Sequence, residues 1–130
     1  MSAFTVELDN RPGELARLCE ARASSGVNLL LCATTHGNSS AVAFIADDEA
    51  AAQAVLDSTG IEYLLRPPLT VKMENLPGVG AATFRKLADA GVNVELLLPV
   101  RISDEEFFAV ICADDAAAAE GALGGQVISE

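Results

Sequence analysis

The stretch FTVELDNRPGELARLCEARASSGVNLL, residues 4–30, recurs later in the chain as LTVKMENLPGVGAATFRKLADAGVNVE, residues 69–95. The two stretches align without a gap at an offset of 65 residues, and both contain T-V, N-x-P-G and a closing G-V-N. Further along, ADDEAAA at residues 46–52 matches ADDAAAA at residues 113–119. Two matching segments in the same order indicate an internal duplication.

Each copy opens with a predicted strand and a predicted helix. Residues 4–8 and 69–73 alternate apolar and polar side chains, which is typical of a strand with one buried face. Pro-Gly then ends the strand, and a helix runs to Gly26 in the first copy and to Gly91 in the second. Helical spacing predicts that three residues of each helix face inward, namely Leu15, Leu18 and Cys19, and Phe84, Leu87 and Ala88.

The remainder of each copy predicts two strands, a helix and a last strand. In the first copy the strands are residues 29–35 and 42–46, joined by a loop at HGNSS. Asp47 or Asp48 is an N-cap for a helix that Gly60 ends, and IEYLL, residues 61–65, is the final strand.

The order strand, helix, strand, strand, helix, strand predicts an α+β fold of two tandem ferredoxin-like βαββαβ units, with antiparallel four-stranded sheets and both helices on one face. The expected strand order, 4-1-3-2, puts the second strand at an edge, where Pro99 of the second copy is tolerated. We expect domains at residues 1–65 and 69–130, joined by a linker at 66–68 that contains two prolines.

Composition and charge exclude several classes of protein. The chain is 51% hydrophobic and has a net charge of −11, shared by both halves, so it is a globular protein that would repel nucleic acid. No apolar run reaches the length of a membrane span, and the first ten residues do not have the pattern of a signal peptide, so we expect a cytoplasmic protein. Cys19, Cys32 and Cys112 are expected to be small buried hydrophobes.

The duplicated motif resembles the ACT domain, a regulatory module. The resemblance rests on a strand ending in N-x-P-G, a helix of about a dozen residues, and G-V-N before an apolar strand. It covers residues 4–64 and 69–128. It implies units that pair through sheet edges or first helices and bind amino acids or similar small molecules at the seam, with the strand-to-helix turn facing the ligand.

The physics of that turn agrees with this role. The first amides of a helix lack intrahelical partners and lie at its positive end, and glycine lets a ligand approach the backbone. The candidate ligand-binding residues come from the two turns and from the starts of the strands after the helices: Asn10, Arg11, Pro12, Gly13, Glu14, Asn28, Leu29, Asn75, Leu76, Gly78, Val79, Gly80, Asn93 and Val94.

Structural roles for these residues remain open as alternatives. Asn before Pro-Gly also forms turns and bonds its own backbone, and Asn after a helix-ending glycine often satisfies a loop. Arg22 departs from the family pattern, because Leu87 occupies the matching position and an apolar residue is usual there. Arg22 either extends its charge to solvent from the helix edge or meets a carboxylate at an interface.

No set of side chains predicts catalysis, a cofactor or a metal site. His36 is the only histidine, is expected in an exposed loop, and has no cysteine or histidine at zinc-site spacing. The first hypothesis is therefore a non-enzymatic amino-acid-binding regulatory protein with ligands at the seam between ACT-like units, assembled as a homodimer. The alternative is a regulatory subunit that needs no ligand and docks on a partner enzyme through its ACT-like sheets.

Overall fold

A computed structural model describes residues 2–26 and 29–128, with the backbone alone for Ser24, Ser25 and Leu29. The chain divides into two compact units after Arg66. The elements of the first unit are β1 (Ala3–Asp9), α1 (Glu14–Ser25), β2 (Leu29–His36), β3 (Ser39–Ala46), α2 (Glu49–Thr59) and β4 (Tyr63–Arg66). Those of the second are β5 (Leu69–Glu74), α3 (Val79–Asp89), β6 (Val94–Ile102), β7 (Glu106–Ala113), α4 (Ala116–Leu123), a 3-10 turn (Gly124–Gln126) and β8 (Val127–Ile128).

Each unit contains one antiparallel four-stranded sheet. The strand orders are β2-β3-β1-β4 and β6-β7-β5-β8, so the predicted fold class and strand order are confirmed. β2 and β6 each lie at a sheet edge. The pairing of β6 with β7 shifts register near Pro99, which has no amide to donate.

The core of each unit follows from the alternation in its first strand. Phe4, Val6 and Leu8 are buried in the first unit, and the rings of Phe4 and Phe44 stack with their centroids 4.9 Å apart. Val71 and Met73 take the same places in the second unit. Side chains from the paired helices complete the two cores: Leu18, Ala52 and Leu56 in the first, and Leu87, Ala119 and Leu123 in the second.

The structure corrects predictions about the helix faces. Leu15 is 42% exposed and Cys19 is half-buried, so the core contact of α1 is Leu18. In α3, Leu87 is buried and Phe84 is half-buried, but Ala88 is exposed. Leu15 lies in the first turn of α1 and lines a cavity beside the strand-to-helix turn instead of the core.

Predictions about the first hairpin also need correction. The predicted turn at HGNSS is present but shorter than the predicted strand ends imply: β2 and β3 extend to His36 and Ser39, which pair with each other, and leave two turn residues, Gly37 and Asn38. His36 is therefore an exposed strand residue. Cys32 is exposed, contrary to expectation, because it alternates along β2 with Leu31, which packs against the core; Cys112 is buried as predicted.

Within the described residues, none of the helices is long and apolar enough to span a membrane.

Candidate functional site

The two strand-to-helix turns have nearly the same backbone geometry. The amide of Arg11 donates to the carbonyl of Asp9, and the amide of Leu76 donates to the carbonyl of Glu74, both at 2.9 Å. Gly13 and Gly78 then adopt φ angles of 91° and 89° at the N-caps of α1 and α3. Only glycine takes this left-handed conformation without strain, which explains why the duplicated motif keeps it.

The helices that follow these turns start without a side-chain cap. Gly13 and Gly78 have no side-chain acceptor, and no side-chain cap bond forms at either helix. By contrast, Asp48 and Asp115 cap α2 and α4 by accepting bonds of 3.0 Å from the amides of Ala51 and Ala118. The first amide of each helix, that of Glu14 or Val79, donates to the backbone carbonyl of Arg11 or Leu76, and the amides that follow it have no competing side-chain cap.

The asparagine of each turn is bound to the neighbouring hairpin. The Nδ2 atom of Asn10 donates to the carbonyl of Gly37 at 3.2 Å, and that of Asn75 donates to the carbonyl of Ser103 at 2.7 Å. The amide of Asn75 also donates to the carbonyl of Glu105. Both asparagines thus hold the turn against the hairpin that joins the second and third strands, a partner that the sequence alone did not predict.

The first turn carries a compact set of ion pairs. The guanidinium of Arg11 contacts the carboxylates of Asp9 at 2.9 Å and Glu14 at 3.0 Å, and Arg17 contacts the other oxygen of Glu14 at 3.0 Å. The hydrogen bond from Arg17, opposed by partial burial and aided by the charges of Arg17 and Arg11, lowers the pKa of Glu14 below its ordinary value. This turn thus places balanced positive and negative groups at the helix start.

The second turn replaces those charges with apolar residues. Leu76, Val79 and Ala82 stand where Arg11, Glu14 and Arg17 stand in the first copy, and Leu76 is 60% exposed. Carboxylates from the end of β5 and from the β6–β7 hairpin surround this turn. They belong to Glu74, Asp104, Glu105 and Glu106, of which Glu106 contacts Lys72 at 2.8 Å.

A cavity lies beside each turn. The first has a volume of about 310 Å³ and is lined by Leu8, Asp9, Asn10, Arg11, Glu14, Leu15, Ala33, Thr34, Thr35, Ser40, Ala41 and Val42. The second has a volume of about 460 Å³ and is lined by Lys72, Glu74, Asn75, Leu76, Asp104, Glu105 and Glu106. The first cavity is thus lined by two residues of the helix start, Glu14 and Leu15. The second cavity is lined by Asn75 and Leu76 of the turn but by no residue of α3.

The structure brings only some of the predicted ligand-binding residues together. Asn10, Arg11 and Glu14 share the first cavity, and Asn75 and Leu76 share the second. The other turn residues do not line these two cavities; they are Pro12, Gly13, Gly78, Val79 and Gly80.

The predicted residues at the strand starts have other surroundings. The backbone of Asn93 exchanges bonds with Asp114, whose side chain accepts from the Asn93 amide at 2.9 Å and whose amide donates to the Asn93 carbonyl at 3.0 Å. Val94 packs against the core of the second unit. Leu29 begins β2, and Asn28 lies outside the described residues.

Sequence reasoning missed the strand residues that form the other wall of the first cavity. These are residues 33–35 of β2 and 40–42 of β3, which include the hydroxyls of Thr34, Thr35 and Ser40. The predicted strand order could have indicated this wall. Because β3 lies beside β1, the hairpin that joins β2 and β3 lies next to the turn that follows β1. In the part of the chain that the structure describes, no three His, Cys, Asp or Glu side chains are grouped to hold a metal ion.

Structural comparison places the chain beside proteins of similar architecture. A crystal structure of a protein from Bacteroides thetaiotaomicron matches with a TM-score of 0.83 at 19% identity, covering 98% of this chain and 90% of that one. The ligand-free regulatory subunit of aspartate kinase from Thermus thermophilus matches with a TM-score of 0.66 at 24% identity, over 94% and 88% of the two chains.

A structure of aspartokinase alpha and beta subunits matches with a TM-score of 0.64 at 19% identity, over the same shares of the two chains. No protein-family model and no curated protein matches the sequence. The chain therefore has a two-unit fold that is similar to that of aspartate kinase regulatory subunits.

Proposed function

We propose that this chain is a non-enzymatic regulatory protein of two ACT-like units that binds an amino acid or a similar small zwitterion at the first strand-to-helix turn. The observation that carries the proposal is the first cavity, where an uncapped helix start, Arg11 and the carboxylates of Asp9 and Glu14 face one volume of about 310 Å³. A volume of this size is at the lower end of the range for small-molecule sites.

The groups around this cavity match the two charges of an amino acid. A ligand carboxylate is stabilised by the positive end of α1 and by Arg11, whose five N–H donors can serve Asp9, Glu14 and a ligand together. An α-ammonium group is attracted by Asp9 and Glu14. A ligand side chain would then contact Leu15, Ala33 and Val42 on the walls.

The second turn is the weaker candidate for a carboxylate ligand. Four carboxylates and one lysine line its cavity, and that lysine is paired with Glu106. The apolar start of α3 at Val79 and Gly80 lies outside this lining. We assign the working site to the first unit, and a structural role to the second turn, including Gly78, and to Asn93 and Val94 at the start of β6.

The structural comparison supports a regulatory role for the fold. Proteins that share it at a TM-score above 0.6 include regulatory subunits of aspartate kinase. We further propose that the chain forms a homodimer with two alternative packings of its units. Ligand binding would favour the packing that binds the ligand more tightly, because a ligand shifts an equilibrium only through different affinities for the two states.

A regulatory subunit that docks on a partner enzyme is the second candidate. The observation that favours it is the edge strand β2, which has eight residues, no proline, lysine or acidic residue, and an exposed Leu30. Such an edge can pair with a strand of another chain. Pull-down of an unlinked enzyme with no change on adding amino acids would favour this candidate over the first.

Thermal unfolding in the presence of each of the twenty amino acids tests the first proposal. A ligand at about 100 times its dissociation constant adds about 2.7 kcal/mol to the free energy of unfolding, so its unit should melt several degrees higher. A hit identifies the ligand class, and a set of twenty unchanged melting curves contradicts the proposal.

A further inference from the structure

The first unit contains a larger cavity that is separate from the strand-to-helix turn. It has a volume of about 900 Å³ and is formed by β1, the β2–β3 hairpin, the C-terminal end of α2 and the start of β4. It shares Thr34, Ser40 and Ala41 with the first cavity. Neither Arg11 nor Glu14, which belong to the turn, lines it. Its size is near the upper end of the range for small-molecule sites. We call it the α2 groove.

The charges that line the α2 groove are almost all negative. The carboxylates are those of Glu7, Asp57 and Glu62, and no lysine or arginine is among the lining residues. The C-terminal end of α2 also faces the groove through Asp57 and Gly60, and the last turn of this helix has no basic residue. Both the side chains and the negative end of the helix dipole therefore favour a cation.

The cation beside the groove, Arg17, is already paired with a carboxylate outside it. Arg17 shares a smaller adjacent cavity with Glu7 and Glu62, but its guanidinium donates to Glu14 at 3.0 Å. Among the described residues, His36 is the only basic side chain that lines the groove itself.

Apolar groups and an unsatisfied hydroxyl line the rest of the groove. Ile61 and Leu64 supply hydrocarbon surface, and Leu64 is 59% exposed. The Oγ1 atom of Thr5 is buried without a hydrogen-bond partner, and it is the only such side-chain atom in the described residues. Because an unpaired buried hydroxyl costs free energy, a ligand group beside Thr5 would relieve that cost.

The tyrosine of the groove already forms a hydrogen bond to one carboxylate. The hydroxyl of Tyr63 donates to Oδ1 of Asp57 at 3.0 Å. Burial first, and then the contact with Asp57, raise the pKa of Tyr63. The tyrosine therefore stays neutral and leaves the negative charge of the groove on its carboxylates.

The arrangement of the acids distinguishes between kinds of cation. No group of three potential ligands in the described residues is close enough to hold a metal ion. Separated carboxylates on a partly apolar wall instead match an organic cation with a hydrocarbon stem. We propose that the α2 groove binds an organic amine, with its ammonium group at Glu62 and Asp57 and its stem against Ile61 and Leu64.

Titration of the full-length protein with 1,5-diaminopentane, followed by amide chemical shifts, tests this assignment. The matched probes are 1,5-pentanediol and glutarate, which keep the five-carbon chain but are neutral and anionic. We expect saturable shifts of the Thr5, Gly60 and Glu62 amides with the diamine alone. Thr5, Gly60 and Glu62 line the groove but not the first cavity, and Asn10 and Arg11 line the first cavity but not the groove, so shifts of these residues distinguish the two sites and each can succeed or fail independently.

A pair of charge-matched variants sharpens the test. Glu62→Gln and Glu120→Gln each remove one exposed carboxylate, but only Glu62 lines the groove. We expect Glu62→Gln to weaken diamine binding about tenfold, as for loss of a charge-assisted contact, and Glu120→Gln to change it less than about twofold. Absence of saturable shifts, equal shifts with glutarate, or equal effects of the two variants would overturn the proposal.

Discussion

The two N-x-P-G turns have the same backbone and different side chains. Gly13 and Gly78 differ by 2° in φ, and Asn10 and Asn75 bind corresponding hairpins. Around this shared frame the first turn has two arginines paired with two acids, whereas the second has apolar residues at three of those four positions. The comparison teaches that the duplicated motif specifies a backbone shape, and that ligand chemistry comes from residues between the motif positions.

The first helices of the units differ in the same way. α1 contacts its core through Leu18, and α3 contacts its core through Leu87, one turn further along. The place of Leu18 in the second copy is taken by Thr83, which is buried, donates to the carbonyl of Val79 at 2.9 Å and accepts from Gln126 at 3.0 Å. One backbone therefore tolerates two ways of fixing its helix to the core.

The largest expected effect concerns these core positions. Leu87→Ala removes a side chain that is 1% exposed and should cost about 3 kcal/mol in the second unit. Arg22→Ala, at the matching position of the first copy, should cost about 1 kcal/mol because Arg22 is only half-buried. Amide hydrogen exchange measures each unit separately. Equal losses in both variants would show that the two helices use the same core contact.

The next largest expected effect is a difference in amino-acid affinity between variants of the first turn and variants of the second. Arg11→Leu introduces into the first turn the residue that the second turn has at this position, Leu76. It should weaken amino-acid binding at least about tenfold, because a charge-assisted contact to the ligand is lost. Lys72→Leu removes one positive charge at the second cavity and is the matched control. Titration calorimetry measures both. A larger loss in the control would move the working site to the second unit.

A smaller effect tests what the turns have in common. Gly13→Ala and Gly78→Ala should each destabilise their unit by about 1–2 kcal/mol, because L residues pay that much for a left-handed backbone. The space is not limiting, since a Cβ at either position meets no atom within 4 Å. Gly80→Ala, inside α3 and without a positive φ, should instead be stabilising by about 0.5 kcal/mol. Chemical denaturation, followed separately in each unit, measures the free energy of unfolding of the three variants. The same change in all three would contradict this account.

The smallest effect is the pH dependence of the first turn. The pKa of Glu14 is lowered in the folded protein by its bonds to Arg17 and Arg11, so its stabilising contribution is present at neutral pH. That contribution should be lost as the pH falls below the ordinary value of 4.5 and through the lowered pKa. Glu14→Gln should flatten this part of the stability profile of the first unit, while Glu20→Gln, on the exposed face of α1, should leave it in place. Denaturation between neutral and acid pH measures both.

Most of the fold could be predicted because its signals are local and occur twice. Alternation in β1 and β5, the caps at Asp48 and Gly60, and the edge position of Pro99 all depend on residues close in sequence or on the strand order that follows from them. The hairpin at HGNSS was predicted as a longer loop, because its small polar residues resemble a turn and the pairing of His36 with Ser39 depends on the partner strand.

The site was less predictable, because its contacts join distant residues. The bonds of Asn10 to Gly37 and of Asn75 to Ser103 cross 27 and 28 residues of chain. The wall formed by Thr34, Thr35 and Ser40 belongs to strands whose sequence has no signal for ligand binding. The position of Leu15 outside the core depends on how the turn directs the start of α1, which helical spacing does not specify.

The most direct measurement is a titration of the isotope-labelled full-length protein with the amino acid that raises its melting temperature most, followed by amide chemical shifts. We predict saturable shifts at residues 10–15 and at residues 33–35 of the opposite wall, with residues 75–80 unchanged. Shifts confined to residues 75–80, or a stabilising amino acid that moves neither turn, would contradict the account that the first turn is the binding site.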